Sequence, residues 1–341
     1  MLGRWLLVLA VLFLPLESGV EAKEVHGKSA SAAAKSHPSH GGATTRSHGV
    51  IVHNRGAGGS HKRLHHGTPH GKRHLVGHHP HGARSAALTT SPRSGGSLHV
   101  SAGKAMVVDQ ETGTALFSRN SDQPSPIASV TKLMTAMVVL DRNLPMEESI
   151  TIIDDDVDHL KYSSSRLAVG TVFTRREALQ LALMSSENRA AASLARTYPG
   201  GSSAFVVAMN HKARELGMSN SHFADSTGLN SANVSTAEDL VKMVRAAYRY
   251  DLIRDITTST EYELGVGRAR RSTLFHNTNR LVSSDSWHIG LSKTGYINEA
   301  GRCLVMQARI KDKPTIMVFL DNWGKYSCAG DATRVRQWLE R

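Results

Sequence analysis

Cysteine is nearly absent from this 341-residue chain, which holds only Cys303 and Cys328. At most one disulfide is possible. The spacing leaves both options open, a Cys303–Cys328 bridge or two quiet thiols, because it does not show whether their Cα atoms approach closely enough. Aromatic residues are also scarce, at 5% with four Trp, so there is no stacking platform for nucleic acid. Long apolar runs are missing. The longest, from Trp5 to Leu16, falls short of the roughly 20 residues a membrane-spanning helix needs. Acid is missing from one quarter of the chain, since residues 23–100 carry eleven Lys and Arg against Glu24 alone. Residues 101–341 hold 29 basic and 26 acidic residues, so nearly all of the net +12 lies in that one segment. This distribution excludes a uniformly basic globule. It predicts a near-neutral globular part behind a basic arm. The length allows about two domains, and an apolar fraction of 40% allows a sizeable core.

The amino terminus reads as a secretory leader. Arg4 supplies the positive start, Trp5–Leu16 the apolar stretch, and Val20-Glu21-Ala22 a small-residue cleavage site. No Cys follows it, which argues against a lipoprotein, so a leader over 1–22 and an exported, periplasmic protein are expected. Residues 23–98 are Ser, Gly, His, Ala and basic residues, with His65-His66-Gly67 and His78-His79-Pro80-His81 among the repeated motifs. Of 19 His, 14 lie between His26 and His99. Bulky apolar residues are too few there to offset ordering entropy, so the arm is expected to be disordered. It reads as a tether, as a contact for anionic envelope polymers that gains charge as His protonates, or as a weak metal binder.

From Ala105 the pattern becomes globular. Ala105–Asp109 and Ala115–Phe117 around Thr112-Gly113 read as a hairpin. Ser129 to Leu140 has helical apolar spacing. Helices are also expected over 175–185, 188–197, 202–216 and from about Ser235. Three strands follow, Trp287–Thr294, Arg302–Ile310 and Thr315–Asp321, before a closing helix over 331–340. Strands at both ends with helices between predict one composite α+β domain over 101–341. Its sheet is antiparallel, formed by the N-terminal hairpin and the C-terminal strands, with an adjoining helical subdomain.

Three short motifs carry chemistry. Ser129-Val130-Thr131-Lys132 puts a hydroxyl and an amine one helical turn apart. A serine becomes a good nucleophile only when a base accepts its proton, and Lys132 serves if burial and a nearby cation keep it neutral. Ser186-Glu187-Asn188 falls in a loop between predicted helices, where Ser186 can relay a proton and Asn188 can bond both Lys132 and a substrate amide. Lys293-Thr294-Gly295 ends an apolar strand. There Thr294 can bond a carboxylate, Lys293 supplies a positive field, and Gly295 lets a substrate backbone come close. Each motif alone is weak. Ser101-Ala102-Gly103-Lys104, Ser118-Arg119-Asn120 and Ser231-Ala232-Asn233 match by pattern as well.

Their order and spacing make one constellation, in which the sequence resembles the penicillin-recognising serine DD-peptidases. The resemblance covers about 101–341. It includes Ile127-Ala128-Ser129-Val130-Thr131-Lys132-Leu133-Met134-Thr135-Ala136, Thr227-Gly228-Leu229 and Ser235-Thr236-Ala237-Glu238-Asp239-Leu240, which look like the low-molecular-mass D-alanyl-D-alanine peptidase branch. The resemblance implies a DD-peptidase/β-lactamase-like α/β (α+β) fold with a five-stranded antiparallel sheet flanked by helices, beside an all-helical subdomain. It implies Ser129 as acyl-enzyme nucleophile, Lys132 as proton acceptor and Ser186 as proton shuttle. Asn188 would orient substrate and Lys132. Lys293 would lower the pKa of Lys132 and, with Thr294, hold the substrate's terminal carboxylate. The backbone N–H groups of Ser129 and Tyr296 would form the oxyanion hole, with Gly295 between motif and hole. The implied substrates are D-alanyl bonds of peptidoglycan stem peptides, with β-lactam antibiotics as covalent inhibitors. No cofactor, metal or nucleic acid is implied. Members of that branch commonly add a C-terminal β-domain and a membrane-binding helix. Neither is expected here, which resembles the soluble DD-endopeptidases that cut crosslinks. Glu187, in the middle of the second motif, departs from the small residue or Asp also found there.

Three other activities compete with this reading. A terminal-D-Ala carboxypeptidase would use the same machinery. A serine β-lactamase would need a deacylating carboxylate, for which the sequence has no clear motif. A non-enzymatic His-rich envelope-binding protein would ignore all three motifs. Metallohydrolase chemistry lacks support because the remaining five His are scattered, without H-x-x-x-H spacing.

Overall fold

The structure, a computed structural model, describes residues 97–266 and 271–341. The leader and almost all of the basic arm, with its His clusters and expected polymer contacts, lie outside the described residues. Five strands form one antiparallel sheet in the order β2-β1-β11-β10-β9. They are β1 (Lys104–Asp109), β2 (Ala115–Arg119), β9 (His288–Ile297), β10 (Gly301–Ile310) and β11 (Lys313–Asn322). The expected pairing of the N-terminal hairpin with the C-terminal strands holds, since β1 runs antiparallel to β11 from Lys104↔Leu320 to Asp109↔Thr315.

β10 and β11 are buried along almost their whole length because both faces of the sheet are covered. Alternate residues serve different cores. Cys303, Val305, Ile316, Val318 and Leu320 join the larger apolar cluster. Leu304, Met306, Ala308, Met317 and Phe319 join the smaller one, beneath the closing helix α7 (Ser327–Glu340). The larger core is completed by α1 (Thr131–Asp141), α2 (Arg175–Met184), α3 (Asn188–Arg196), α4 (Gly201–Glu215), α5 (Ala237–Ala247) and α6 (Asp251–Thr258). Caps set two of these starts. Thr174 and Glu177 form a reciprocal capping box on α2, and Thr236 Oγ1 accepts the Asp239 amide at the start of α5.

The helical part is not purely helical. It carries the short pairs β3–β6 (Ser125–Pro126 with Val234–Ser235) and β4–β5 (Ser149–Thr151 with Val172–Thr174). It also carries the ribbon β7–β8 (Glu261–Val266 with Arg271–His276). Two- and three-residue strands are below the reach of periodicity. The ribbon is not among the elements expected from the sequence, where Gly265 interrupts a short segment. The connection between the expected strands ending at Ile310 and starting at Thr315 is tighter than their bounds imply. Only Lys311 and Asp312 turn, both with positive φ, and Lys313 and Pro314 already belong to β11. Cys303 and Cys328 are free and buried, and burial pushes both thiols up to about 12.

The two ends of the domain are tied by one carboxylate. Asp331 on α7 is fully buried and accepts from Ser101 N (2.6 Å), Ala102 N (2.9 Å), Asn322 Nδ2 (2.7 Å) and Arg334. Removing an acceptor that satisfies several buried donors costs about 3 kcal/mol. Asp331→Ala is therefore expected to lower the unfolding free energy by roughly that amount, read as a lower urea midpoint at unchanged m-value. An unshifted midpoint would show the tie to be dispensable.

Candidate active site

The turn that carries Ser129, the candidate nucleophile, sits slightly outside the helix the sequence predicts. Ala128–Val130 form a single 3₁₀ turn, and α1 begins at Thr131. The reason is local. Ala128 is held at φ +47, a left-handed conformation that breaks a helix and costs of order 1–3 kcal/mol for a non-glycine residue. Two glycines make room for this turn. A Cβ on Gly228, whose φ is +84, would lie 1.9 Å from Ala128 O, and a Cβ on Gly295 would lie 2.9 Å from Ser129 N. Gly295 was expected to admit a substrate backbone. What approaches it is the backbone of the nucleophile turn itself.

Lys132 is buried, one turn into the chain from Ser129. Its Nζ lies 2.8 Å from Ser129 Oγ, 2.8 Å from Asn188 Oδ1 and 2.6 Å from Thr227 O. The two latter atoms can only accept hydrogen bonds. A neutral amine satisfies both with its two N–H bonds, which leaves its lone pair for the Ser129 hydroxyl. Burial lowers the Lys132 amine to about 7, against the opposing pull of Asp225 and Glu187. Burial, followed by repulsion from Lys132, holds Lys293 well below the ordinary lysine value. The main cause of the Lys132 shift is thus burial rather than Lys293.

Asn188 opens α3 and donates from Nδ2 to Ser163 Oγ at 2.9 Å, which fixes its amide orientation. Ser186, in the loop between α2 and α3 as expected, is held at φ +64. Lys293 Nζ donates to its Oγ at 2.9 Å and to Thr294 O at 2.8 Å. The Lys-Thr-Gly motif does not end its strand. It lies inside β9, which continues to Ile297 and forms the sheet edge. Thr294 Oγ1 donates to Thr278 Oγ1 at 2.6 Å, and Tyr296 is half exposed. Ser129, Ser186, Asn188, Thr294, Gly295 and Tyr296 line one cleft of about 460 Å³. Lys132 and Lys293 lie buried beside it. The structure therefore brings together the eight candidate residues Ser129, Lys132, Ser186, Asn188, Lys293, Thr294, Gly295 and Tyr296.

The chance matches fall elsewhere. Ser101 bonds Arg334 and Lys104 pairs with Asp321, while Asn233 serves the loop amides of Ala224 and Asp225. Glu187 turns away from the cleft, with its carboxylate accepting from Ser165 Oγ at 2.6 Å. Sequence reasoning missed Ser163 and Thr278, which stand in no motif. It also missed Asp225, whose carboxylate accepts from Thr227 N, Gly228 N and Asn230 N and thereby aims Thr227 O at Lys132. The Thr227-Gly228-Leu229 triplet was its available signal.

A family profile described as peptidase S11, D-alanyl-D-alanine carboxypeptidase, matches residues 88–324. The chain belongs to this family. It is 47% identical over 260 residues to a protein named D-alanyl-D-alanine endopeptidase in Pseudomonas aeruginosa, covering 76% of this chain and 84% of that one. It is 45% identical over 258 residues to a protein of the same name in Escherichia coli, covering 76% and 82%. The crystal structure of the Streptomyces K15 DD-transpeptidase superposes with a TM-score of 0.65 at 30% identity, covering 70% of this chain and 97% of that one.

Two outcomes follow from this geometry. If Lys132 takes the Ser129 proton, acylation by a penicillin needs its neutral amine, and the second-order rate should rise with pH through an apparent value near 7. Below that it should fall about tenfold per pH unit. Stopped-flow labelling between pH 5 and 9 measures this, and a flat profile would remove Lys132 as the base. Gly228→Ala should displace the nucleophile turn and slow acylation by about 10²-fold. Rates within threefold of the parent would show that the turn tolerates the added carbon.

Proposed function

We propose that this protein is a serine DD-peptidase that hydrolyses D-alanyl bonds of peptidoglycan through an acyl-enzyme, acting as an endopeptidase on crosslinks between stem peptides. The observation that carries the chemistry is the Lys132 amine, with two obligate acceptors for its N–H bonds and the Ser129 hydroxyl 2.8 Å away. In this reading Ser129 Oγ attacks the carbonyl carbon of D-alanine as its proton passes to Lys132 Nζ. The backbone N–H groups of Ser129 and Tyr296 hold the oxyanion, a contribution typically worth 10²–10³ in rate per donor. The intermediate collapses to an ester on Ser129, and the departing amine takes a proton by way of Ser186, which Lys293 holds. Water then cleaves the ester with Lys132 as base. Thr294, with Lys293 behind it, takes the carboxylate adjacent to the scissile bond, and Asn188 orients the substrate amide.

Relatives named endopeptidase are 34–47% identical to this chain, and others named carboxypeptidase are 26–32% identical. This gradient supports the endopeptidase reading over terminal trimming. A β-lactamase would need a deacylating carboxylate, and none lines the cleft among the described residues. The leader over 1–22 and the arm over 23–98 fit export to the periplasm, with stem peptides as substrates and β-lactams as covalent inhibitors. No helix among the described residues is long and apolar enough to cross a membrane.

Incubation with crosslinked muropeptide dimers and with pentapeptide monomers, with products read by mass, tests the assignment. Dimer cleavage to monomers is expected to outpace loss of terminal D-Ala, and the reverse order would replace the endopeptidase by a carboxypeptidase. Ser129→Ala should abolish covalent penicillin labelling while Ser101→Ala leaves it intact. An adduct on the Ser129 variant would end the assignment of the nucleophile.

A further inference from the structure

The cleft does not stop at the three motifs. It turns over the free edge of β9 onto the opposite face of the sheet. Side chains alternate across a strand, so Lys293 and Gly295 face the nucleophile turn while Thr294 and Tyr296 face the other way. Tyr296 is the cross-strand partner of Arg302, and cross-strand partners share a face. The Arg302 guanidinium carbon sits 4.9 Å from the Tyr296 ring centre. From the approach to α7, Lys325 and Tyr326 reach the same cleft, and Arg280 reaches it from the 3₁₀ turn after β8. The Tyr326 ring carries both Arg280 and Lys325, each 5.6 Å from its centre.

Three cations therefore line one wall. None of Arg280, Arg302 and Lys325 has an ion-pair partner among the described residues, and no carboxylate lines the cleft among them. Other arginines without a carboxylate, such as Arg119, Arg189 and Arg245, donate to backbone carbonyls; what sets these three apart is that they gather in one cleft. Like charges gathered without counter-charge repel one another, and an anionic ligand relieves that repulsion. A single terminal carboxylate, already assigned to Thr294 and Lys293, does not call for three more cations. When a crosslink is cut, however, the leaving group is a whole second stem peptide, which brings further carboxylates.

We propose that Arg280, Arg302 and Lys325 form an anion-binding subsite for the carboxylates of the leaving stem peptide, with Tyr296 and Tyr326 as the apolar floor on which the cations rest. This inference rests on the endopeptidase reading. It assigns selectivity for crosslinked over monomeric substrate to the face of β9 turned away from Ser129.

The test uses the full chain and the variant Arg280→Gln/Arg302→Gln/Lys325→Gln. Three substrates are compared, a crosslinked muropeptide dimer, the same dimer with the leaving stem's carboxylates amidated except the one beside the scissile bond, and a pentapeptide monomer. The variant should lose about 10–100-fold in kcat/KM on the charged dimer, mainly through KM, with a weaker dependence on salt. It should match the parent within about twofold on the amidated dimer, on the monomer and in penicillin acylation. An unchanged rate on the charged dimer overturns the subsite, and so does an equal loss on all three substrates. Should the parent cleave monomers but no dimers, the endopeptidase reading itself fails and takes the subsite with it. A parent that cleaves dimers beside an unaffected variant fails the subsite alone.

Discussion

Two lysine side chains share a buried space in which two ammonium charges are not stable together, and the architecture of the site follows from that constraint. Lys132 and Lys293 are each 1% exposed. Carrying an amine from its ordinary value down to about 7 costs the fold about 4 kcal/mol near neutral pH. Between pH 7 and 10.5 the unfolded chain binds more protons at this position than the folded one, so this cost shrinks as pH rises. Below pH 7 both states are protonated and the cost is complete. A protein selected for stability alone would place an apolar side chain here. The neutral amine is useful only because Ser129 stands one turn away and because Asn188 and Thr227 offer acceptors but no donors. On the reading proposed above, the site trades folding free energy for a base that works near neutrality.

Holding that arrangement requires three separate chain segments to meet at backbone distance, which explains the glycines. The loop at Gly228 presses on the carbonyl of Ala128, and β9 presses on the amide of Ser129 at Gly295. A side chain at either place would separate the nucleophile turn from its neighbours. The strain at Ala128 and Ser186, both non-glycine residues at positive φ, sits on either side of the same cleft. It persists because the surroundings are fixed by stronger bonds. Asp225 anchors the Gly228 loop through several amides, and the capped helices α2 and α5 carry the rest.

Much of this was legible in the sequence where a local rule applied. The hairpin, the helices at 175–184, 188–196 and 201–215, and the three C-terminal strands follow from period and punctuation, with boundaries shifted by at most three residues. The motif residues were legible because nucleophile, base and carboxylate binder need fixed residue types at fixed spacing. What stayed hidden depends on tertiary placement. Nothing in the spacing around Ala128 announces a left-handed residue, because the glycine that permits it lies a hundred positions later. Ser163 and Thr278 act through one hydroxyl each, and an isolated serine or threonine carries no signal. Asp225 belongs to a turn whose importance appears only when Thr227 O is seen to touch Lys132. Glu187 stands in the middle of a motif, yet nothing local shows that its carboxylate is turned onto Ser165 and Arg166.

The division of labour around β9 gives a physical account of how one acylation machine serves several reactions. Relatives and structural neighbours of this chain bear names of endopeptidase, carboxypeptidase and transpeptidase. Acylation of serine is common to all three chemistries, and in the proposed reading it falls to the face of β9 that carries Lys293 and Gly295. The reactions differ in what departs from the acyl group and in what arrives to remove it. Those groups lie beyond the scissile nitrogen, and in this chain that direction leads across the sheet edge to Thr294, Tyr296 and the unpaired cations. Alternation of side chains along one edge strand separates the two tasks. Residues that make the bond reactive point one way, and residues that read the leaving group point the other, so the second set can change its charge without disturbing the first.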